Sequence, residues 1–418
     1  MAETGEASFA RSHEAAYSSS SLAQRRQRAL RAVPEAAECE LSVVFPCRNE
    51  AGAVSHCVRE ALAELRRAGT DGEVIVCDNA SDDDSAARAE LAGARVVEES
   101  RPGYGRALNT GIQAARGKYI IMADADGTYD LGAITPILAS LEAGADMVIG
   151  HRFKGTIAPG AMPWMHRYIG SPLTSALLNL FFGTSVGDVH SGMRGFTREA
   201  YYRMALQTSG MEFASEMIAR AARIGLKIAQ VPIDYHPRSG ESKLRTYRDG
   251  WRHLRFLLMY SPTWLYVVPS AILVLLGLSL LLTLSISPIV VLGRQWDMHL
   301  SAIASLLTVL GTQLAWIGIS ARTLAVIHGF DPEDPFIARF YRWFTLERGL
   351  LVAAFVTLGG LAYGAFLAFR WVAAGLPAID QIRPLLLVIT LVMIGVQSVF
   401  NAFFLSLLSI ETRAVEPR

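Results

Sequence analysis

Four apolar runs crowded into the second part of the chain constrain its architecture more than any other feature. They are Pro262–Leu282, Ser301–Ile319, Leu350–Phe369 and Leu385–Ser409, each near the roughly 20 residues that carry a helix across a bilayer's hydrocarbon core. A buried helix of a soluble protein mimics one such run, hardly four, so membrane integration is expected. Arg322, Arg339, Arg342 and Arg348 fall between the second and third runs, against Arg294 alone after the first and Arg370 and Arg383 after the third. Basic loops stay on the cytoplasmic side. That rule puts the N-terminal part, the central loop 321–349 and the final "TRAVEPR" in the cytoplasm, with the protein multi-pass in the cell inner or plasma membrane. Just before the first run, "KLRTYRDGWRHLRFLLMY" alternates basic with apolar side chains, as a helix lying at a membrane surface does.

The residues before Trp251 read as a globular mixture, and the formal net charge of the whole chain is +1. No global electrostatic pull toward nucleic acid follows, and no nucleic-acid partner is expected. Cys39, Cys47, Cys57 and Cys77 match no zinc spacing and read as buried reduced thiols. Residues 1–38, with "SSSS" and "RRQRALR", lack the apolar core of a signal peptide and read as a solvated tail.

From Glu40 the pattern alternates strands and helices: "LSVVFP", "EVIVCD", "ARVVEE", "YIIMAD", "DMVIGHR" and "KIAQVPIDY" are separated by helical stretches. This rhythm predicts a mainly parallel sheet with helices on both faces. Ligands bind such sheets at the carboxyl ends of the strands. "PCRNE", "DNASDD", "DADG" and "GHR" all stand there. Asp124 and Asp126 of "MADADGTYD" are the most telling, because clustered carboxylates repel and call for a cation or a hydrogen-bonding ligand. An EF-hand would need Gly and Glu where Tyr129 and Thr135 stand. A dinucleotide fingerprint would need Gly where "GYGRAL" has Leu108. A D-x-D at a strand end instead suits a divalent ion, Mg²⁺ or Mn²⁺, held against a diphosphate.

In order, "LSVVFPCRNEAGAV", "EVIVCDNASDDDS", "RPGYGRALNTGI", "MADADGTYD", "GHRFKG", "DVHSGMRGF" and "RSGESKLRTYRDG" together resemble the family 2 glycosyltransferases with the GT-A fold, and within them the dolichol- or polyprenyl-phosphate mannose and glucose synthases. The resemblance covers residues 40–260. It implies an α/β fold class, a GT-A Rossmann-like mainly parallel sheet domain followed by an all-α membrane region of four transmembrane helices. The expected domains are a tail at 1–38, the glycosyltransferase domain at 39–243, an interfacial helix at 244–261, the membrane region at 262–410 and a tail at 411–418.

Carried onto this chain, the resemblance has Pro46, Asn49 and Glu50 lining the base and ribose pocket and Asp78 bonding the base edge. Asp124 would sit by ribose and metal, Asp126 would be the main metal ligand, and Thr128 a polar neighbour of the ion. Arg152 would face the diphosphate or the acceptor phosphate. Asp188 matches a catalytic carboxylate and Arg194 a site-facing arginine, while Arg238, Ser242 and Lys243 match a loop that closes on phosphates. Arg48, in place of an aromatic or aliphatic residue, and Ala80, in place of glycine, leave the base open. His151 and His190 read as supporting or surface residues. The implied reaction is inverting transfer of glucose or mannose, from UDP-glucose or GDP-mannose, to a polyprenyl or dolichyl phosphate. The alternatives are a processive polysaccharide synthase, whose Q-x-x-R-W motif is matched only by "RFYRW" without the glutamine, and a non-enzymatic membrane scaffold. The four-span region leaves room for lipid binding or a homo-oligomer.

Overall fold

The computed structural model describes residues 37–238, 246–291, 294–296, 298–327, 334–376 and 382–408. Two compact units divide the chain between Leu257 and Leu258. The first is built on seven strands: β1 (Cys39–Cys47), β2 (Gly72–Asp78), β3 (Arg95–Glu98), β4 (Gly117–Met122), β5 (Met147–His151), β6 (Arg194–Thr197) and β7 (Ile228–Pro232). Their order across the sheet is β3-β2-β1-β4-β6-β5-β7. The central strands are apolar along their whole length, with Val43, Val44, Phe45, Ile121, Met122 and Met147 fully buried. That is the signature of strands covered on both faces. The covering helices include α1 (Val54–Ala68), α2 (Ser85–Leu91), α3 (Tyr104–Ala114) and α4 (Ile134–Glu142). Burial of each large aliphatic side chain here contributes about 1.5–3 kcal/mol.

One strand was not legible in the sequence. The four-residue β6 runs antiparallel to both β4 and β5, pairing Met122 with Arg194 and Ile149 with Arg194. Its reversal matters for the site. The segment leading into β6 meets the sheet at the edge where β1, β2, β4 and β5 end. Helices α5 (Ser171–Phe182), α6 (Arg198–Met204), α7 (Phe213–Arg223) and α8 (Thr246–Met259) complete the set associated with this unit.

Among the described residues of the second unit, four helices are long and apolar enough to cross a membrane: Thr263–Ile286, Met298–Ile327, Leu346–Ala373 and Ile382–Leu408. All four exceed the runs read from sequence, because helix continues into flanking residues of mixed polarity. Close approach rests on small residues: a Cβ at Gly277 would lie 2.6 Å from the Thr308 backbone nitrogen, and one at Gly395 2.8 Å from that of Thr357. Small residues at such crossings are how helices pack without a hydrophobic driving force. Ser305 and Thr390 share a hydrogen bond of 2.6 Å, and Gln397 donates to Gln313. Near the end of the second span, Arg322 grips Asp334 at 2.6 and 2.7 Å. Asp334 in turn caps the short helix Pro335–Trp343 through the Phe336 and Ile337 amides.

Candidate active site

The strand ends converge as the pattern predicts, and the loops that follow them are stitched together. After β1, the Asn49 amide donates to Ser81 Oγ at 3.0 Å and Asn49 Oδ1 accepts from the Asp82 amide at 2.8 Å. The Glu50 amide donates to Ser85 Oγ at 2.8 Å. The Asn49 side-chain oxygen therefore fastens one loop to the next. Pro46 costs the sheet nothing, since the pairing of β1 to β4 stops at Val44. Asp78 ends β2 with Oδ2 accepting from the Ser81 amide at 3.2 Å, while its buried Oδ1 has no partner among the described residues. An orphaned carboxylate oxygen in such a position is an acceptor awaiting a donor. Between them, Ala80 adopts a left-handed conformation with φ 54, where glycine would be unstrained.

The two carboxylates after β4 are held differently. Asp124 Oδ1 accepts from the Tyr104 hydroxyl at 2.9 Å. A Cβ on Gly192 would fall 2.4 Å from Asp124 Oδ2, so only a glycine lets the loop before β6 lie against this carboxylate. Burial, and then the adjacent Asp126 charge, push the Asp124 carboxyl up to about 7. Asp126 Oδ1 is occupied by Thr128, through its amide at 3.1 Å and its hydroxyl at 2.7 Å. Thr128 thus orients Asp126. Asp126 Oδ2 lies 3.5 Å from Arg238 Nη1, and another nitrogen of the same guanidinium meets Glu50 Oε1.

Arg152 and Asp188 form a two-pronged buried ion pair, at 2.7 and 2.8 Å, with the Arg152 amide adding a third bond at 3.2 Å. Burial alone would raise the Asp188 carboxyl, but the bonds from Arg152 outweigh it and hold the group below its usual range. Burial likewise opposes the charge on Arg152, and Asp188 reverses that. The Arg152 guanidinium also sits 5.0 Å above the Tyr235 ring. Arg194 turns away from phosphate chemistry: its guanidinium donates to the Val189, Ser191 and Ala214 carbonyls. Fully buried, it pins the segment that carries Asp188 and Gly192 instead of facing the site. Ser242 and Lys243 lie outside the described residues.

Three tyrosines belong to the site that the sequence did not single out. Tyr104 holds Asp124, Tyr129 accepts from the Gly192 amide at 2.6 Å, and Tyr235 packs edge-on against Tyr129 at 5.3 Å. The signal for the first was in "GYG". A Cβ at Gly103 or Gly105 would meet the Ser209 and Thr208 carbonyls at 2.5 and 2.7 Å. The two glycines admit this chain crossing, and the Gly105 amide donates to Ser209 O at 3.1 Å. The start of α3 is thereby closed by protein, which is why the string has glycines without a dinucleotide fingerprint. Behind Asp188, His190 packs against His253 with ring centroids 4.7 Å apart and planes inclined at 59°, and His253 meets Ser215 at 3.1 Å. Among the described residues, no group of three or more His, Cys, Asp or Glu is placed to hold a metal ion.

Comparison with known proteins shows the family. Residues 42–204 match the model of glycosyl transferase family 2, and residues 319–409 match the glycosyltransferase family 2 C-terminal transmembrane region. The chain is 41% identical over 370 residues to the low-salt glycan biosynthesis hexosyltransferase Agl6 of Haloferax volcanii, covering 87% of this chain and 88% of that one. It is 32% identical to the dolichyl-phosphate hexose transferase of the same organism, over 50% of this chain and 89% of that one. Among solved structures, glucosyl-3-phosphoglycerate synthase of Mycobacterium tuberculosis, with Mn²⁺, UDP-glucose and phosphoglyceric acid, aligns with a TM-score of 0.43 and 24% identity, over 53% of this chain and 79% of that one. With its catalytic domain, its transmembrane region and a full-length hexosyltransferase relative, the chain is a multi-pass membrane glycosyltransferase of family 2.

Proposed function

We propose that the protein transfers a hexose, glucose or mannose, from a nucleoside diphosphate sugar to a polyprenyl phosphate at the cytoplasmic face of the membrane, with inversion at the anomeric carbon. The observation that carries this reading is one sheet edge with an orphaned base-side acceptor at Asp78, a carboxylate pair at Asp124 and Asp126, and a cationic wall at Arg152. Together they offer a contact for the base, ligands for an ion on the diphosphate and a cation for the acceptor anion.

Asp78 Oδ1 would accept from an imide or amino N–H of the base. The carboxylates fit a hard divalent ion, since Mg²⁺ and Mn²⁺ take one or two carboxylates and leave the remaining places to water and substrate phosphates. Asp126 Oδ2 and Asp124 would hold the ion, with Thr128 fixing Asp126 and Tyr104 fixing Asp124. When bound, the metal supplies charge neutralisation to the departing diphosphate. The acceptor phosphate is already an anion, so no base has to take a proton from it. Its oxygen forms the new bond to the anomeric carbon as the bond to the diphosphate oxygen breaks and the electron pair leaves with the nucleotide. Arg152 would orient that anion, held rigid by Asp188 below and Tyr235 beside it; fixed donors are what such positioning demands. Asp188 serves here by aiming Arg152, because both of its oxygens are taken.

The lipid acceptor has further support. Trp164, Met165, Tyr168, Ile169 and Leu173 are exposed near Arg167 on the catalytic unit. Large apolar and aromatic side chains beside a cation suit the headgroup boundary of a bilayer. The dolichyl-phosphate hexose transferase relative adds a name of the same chemical class. The test is incubation of the detergent-purified protein with Mg²⁺, polyprenyl phosphate and each labelled sugar nucleotide. One donor should label an acid-labile lipid; labelling of a soluble or polymeric product alone would overturn the lipid acceptor.

A further inference from the structure

Arg238 stands where a cation is needed. One of its terminal nitrogens meets Glu50 and the other lies 3.5 Å from Asp126 Oδ2, the oxygen that Thr128 leaves open. Among the described residues its buried Nε has no partner. The preceding residues are anchored to the same loop: the His236 amide donates to the Thr128 carbonyl at 2.8 Å, and Tyr235 bridges to Tyr129. The guanidinium is therefore delivered to the carboxylates by a fixed backbone, and its reach along the side chain is what remains adjustable.

We propose that Arg238 is a resident counter-ion for Glu50 and Asp126 that makes metal binding conditional on the nucleotide. Resting on the reading of a metal-dependent nucleotide-sugar site, the inference adds an order of events. Without nucleotide, the guanidinium neutralises the carboxylates, and a divalent ion gains little by displacing it. A diphosphate changes the balance twice. It brings oxygen ligands beyond those of Asp124 and Asp126, and it offers Arg238 a bidentate anion in exchange for the carboxylates. The freed arginine then lies within the same site as the phosphates. A protein arranged this way avoids holding free metal and binds the ion together with the donor. The orphaned Nε fits this reading, since a guanidinium placed for a permanent ion pair would normally use its inner N–H as well.

The experiment is direct Mn²⁺ titration of the full-length protein in detergent, followed by the EPR signal of the free ion, with and without UDP or GDP. Wild type and Arg238→Lys should bind weakly alone and tightly with the fitting nucleotide. Arg238→Gln should bind Mn²⁺ alone about tenfold more tightly than wild type, within the usual range of coupling between ligands, and should gain less from nucleotide. Equal affinity of wild type and Arg238→Gln without nucleotide, with normal binding in its presence, would overturn the counter-ion role and leave the metal site standing. Absence of Mn²⁺ binding in every variant, nucleotide present, would overturn the metal reading itself.

Discussion

Arg152 and Asp188 meet across two N–H to oxygen contacts of 2.7 and 2.8 Å, and Asp188 is fully buried. A pair so enclosed is sensitive to loss of one member, because the survivor keeps a charge with no water to receive it. Arg152→Met and Asp188→Leu should each destabilise the catalytic unit by about 3–5 kcal/mol, while the double change should recover much of that loss. Chemical denaturation of the three variants measures it. Additive losses would show that the two residues do not act as a pair.

The same burial shapes the response to acid. His190 is held down to about 3 by its enclosure and then by the neighbouring His253 and Arg152. The unfolded chain takes up this proton near pH 6.5, so the contribution of this residue falls as pH drops from about 6.5 toward 3, by up to about 1.4 kcal/mol per pH unit. Asp124 acts in the opposite sense over much of the same range, because its raised carboxyl takes up a proton in the folded chain first. Asp188 acts lower: its depressed carboxyl contributes stability above the unfolded value near 4 and loses it as pH falls further. His190→Asn should gain stability relative to wild type as pH drops from about 6.5 to about 4.5 and leave the Asp188 limb in place. An unchanged profile between pH 6.5 and 4.5 would refute the assignment to His190.

Ala80 occupies a left-handed conformation between Asp78 and the loop that secures it. Ala80→Gly should stabilise by about 0.5–1 kcal/mol, the strain released being partly offset by the entropy of a freer unfolded chain. Ala80→Val should destabilise, since a β-branched residue tolerates positive φ poorly. Thermal melts read both, and equal midpoints for Gly and Val would contradict the strain.

Asp78 is expected to set nucleotide affinity with little effect on folding. Asp78→Asn replaces an acceptor with an amide while preserving shape, and removal of a charged hydrogen bond costs about 1.5–3 kcal/mol. Calorimetric titration with UDP and GDP should show affinity falling about tenfold to a hundredfold for whichever nucleotide the wild type prefers. Unchanged affinity would move the base elsewhere on the sheet edge.

Much of this site could be read from the chain because its parts repeat one simple pattern. Apolar runs end in "PCRNE", "DNASDD", "DADG" and "GHR", and a parallel sheet lines up its strand ends. What escaped depends on contacts distant in sequence. β6 has four residues, begins with a buried arginine and has no alternation to betray it. The motif around Arg194 reads the same whether the guanidinium meets phosphate or three carbonyls, and only the fold decides. Tyr104 is separated by twenty residues from the carboxylate it holds. The glycines of "GYG" gain their reason from a segment a hundred residues later. Long apolar spans were legible at once, their ends less so, because helix runs on past the hydrophobic composition that marks it.

The central claim is tested most directly by hexose transfer to lipid. Purified protein, Mg²⁺, polyprenyl phosphate and labelled UDP-glucose or GDP-mannose are combined, and the label extracted into organic solvent is counted. Transfer from one donor, lost in Asp126→Ala and retained in a surface variant such as Leu91→Gln, is the predicted result. A protein that binds the nucleotide sugar yet labels no lipid from either donor would contradict the account.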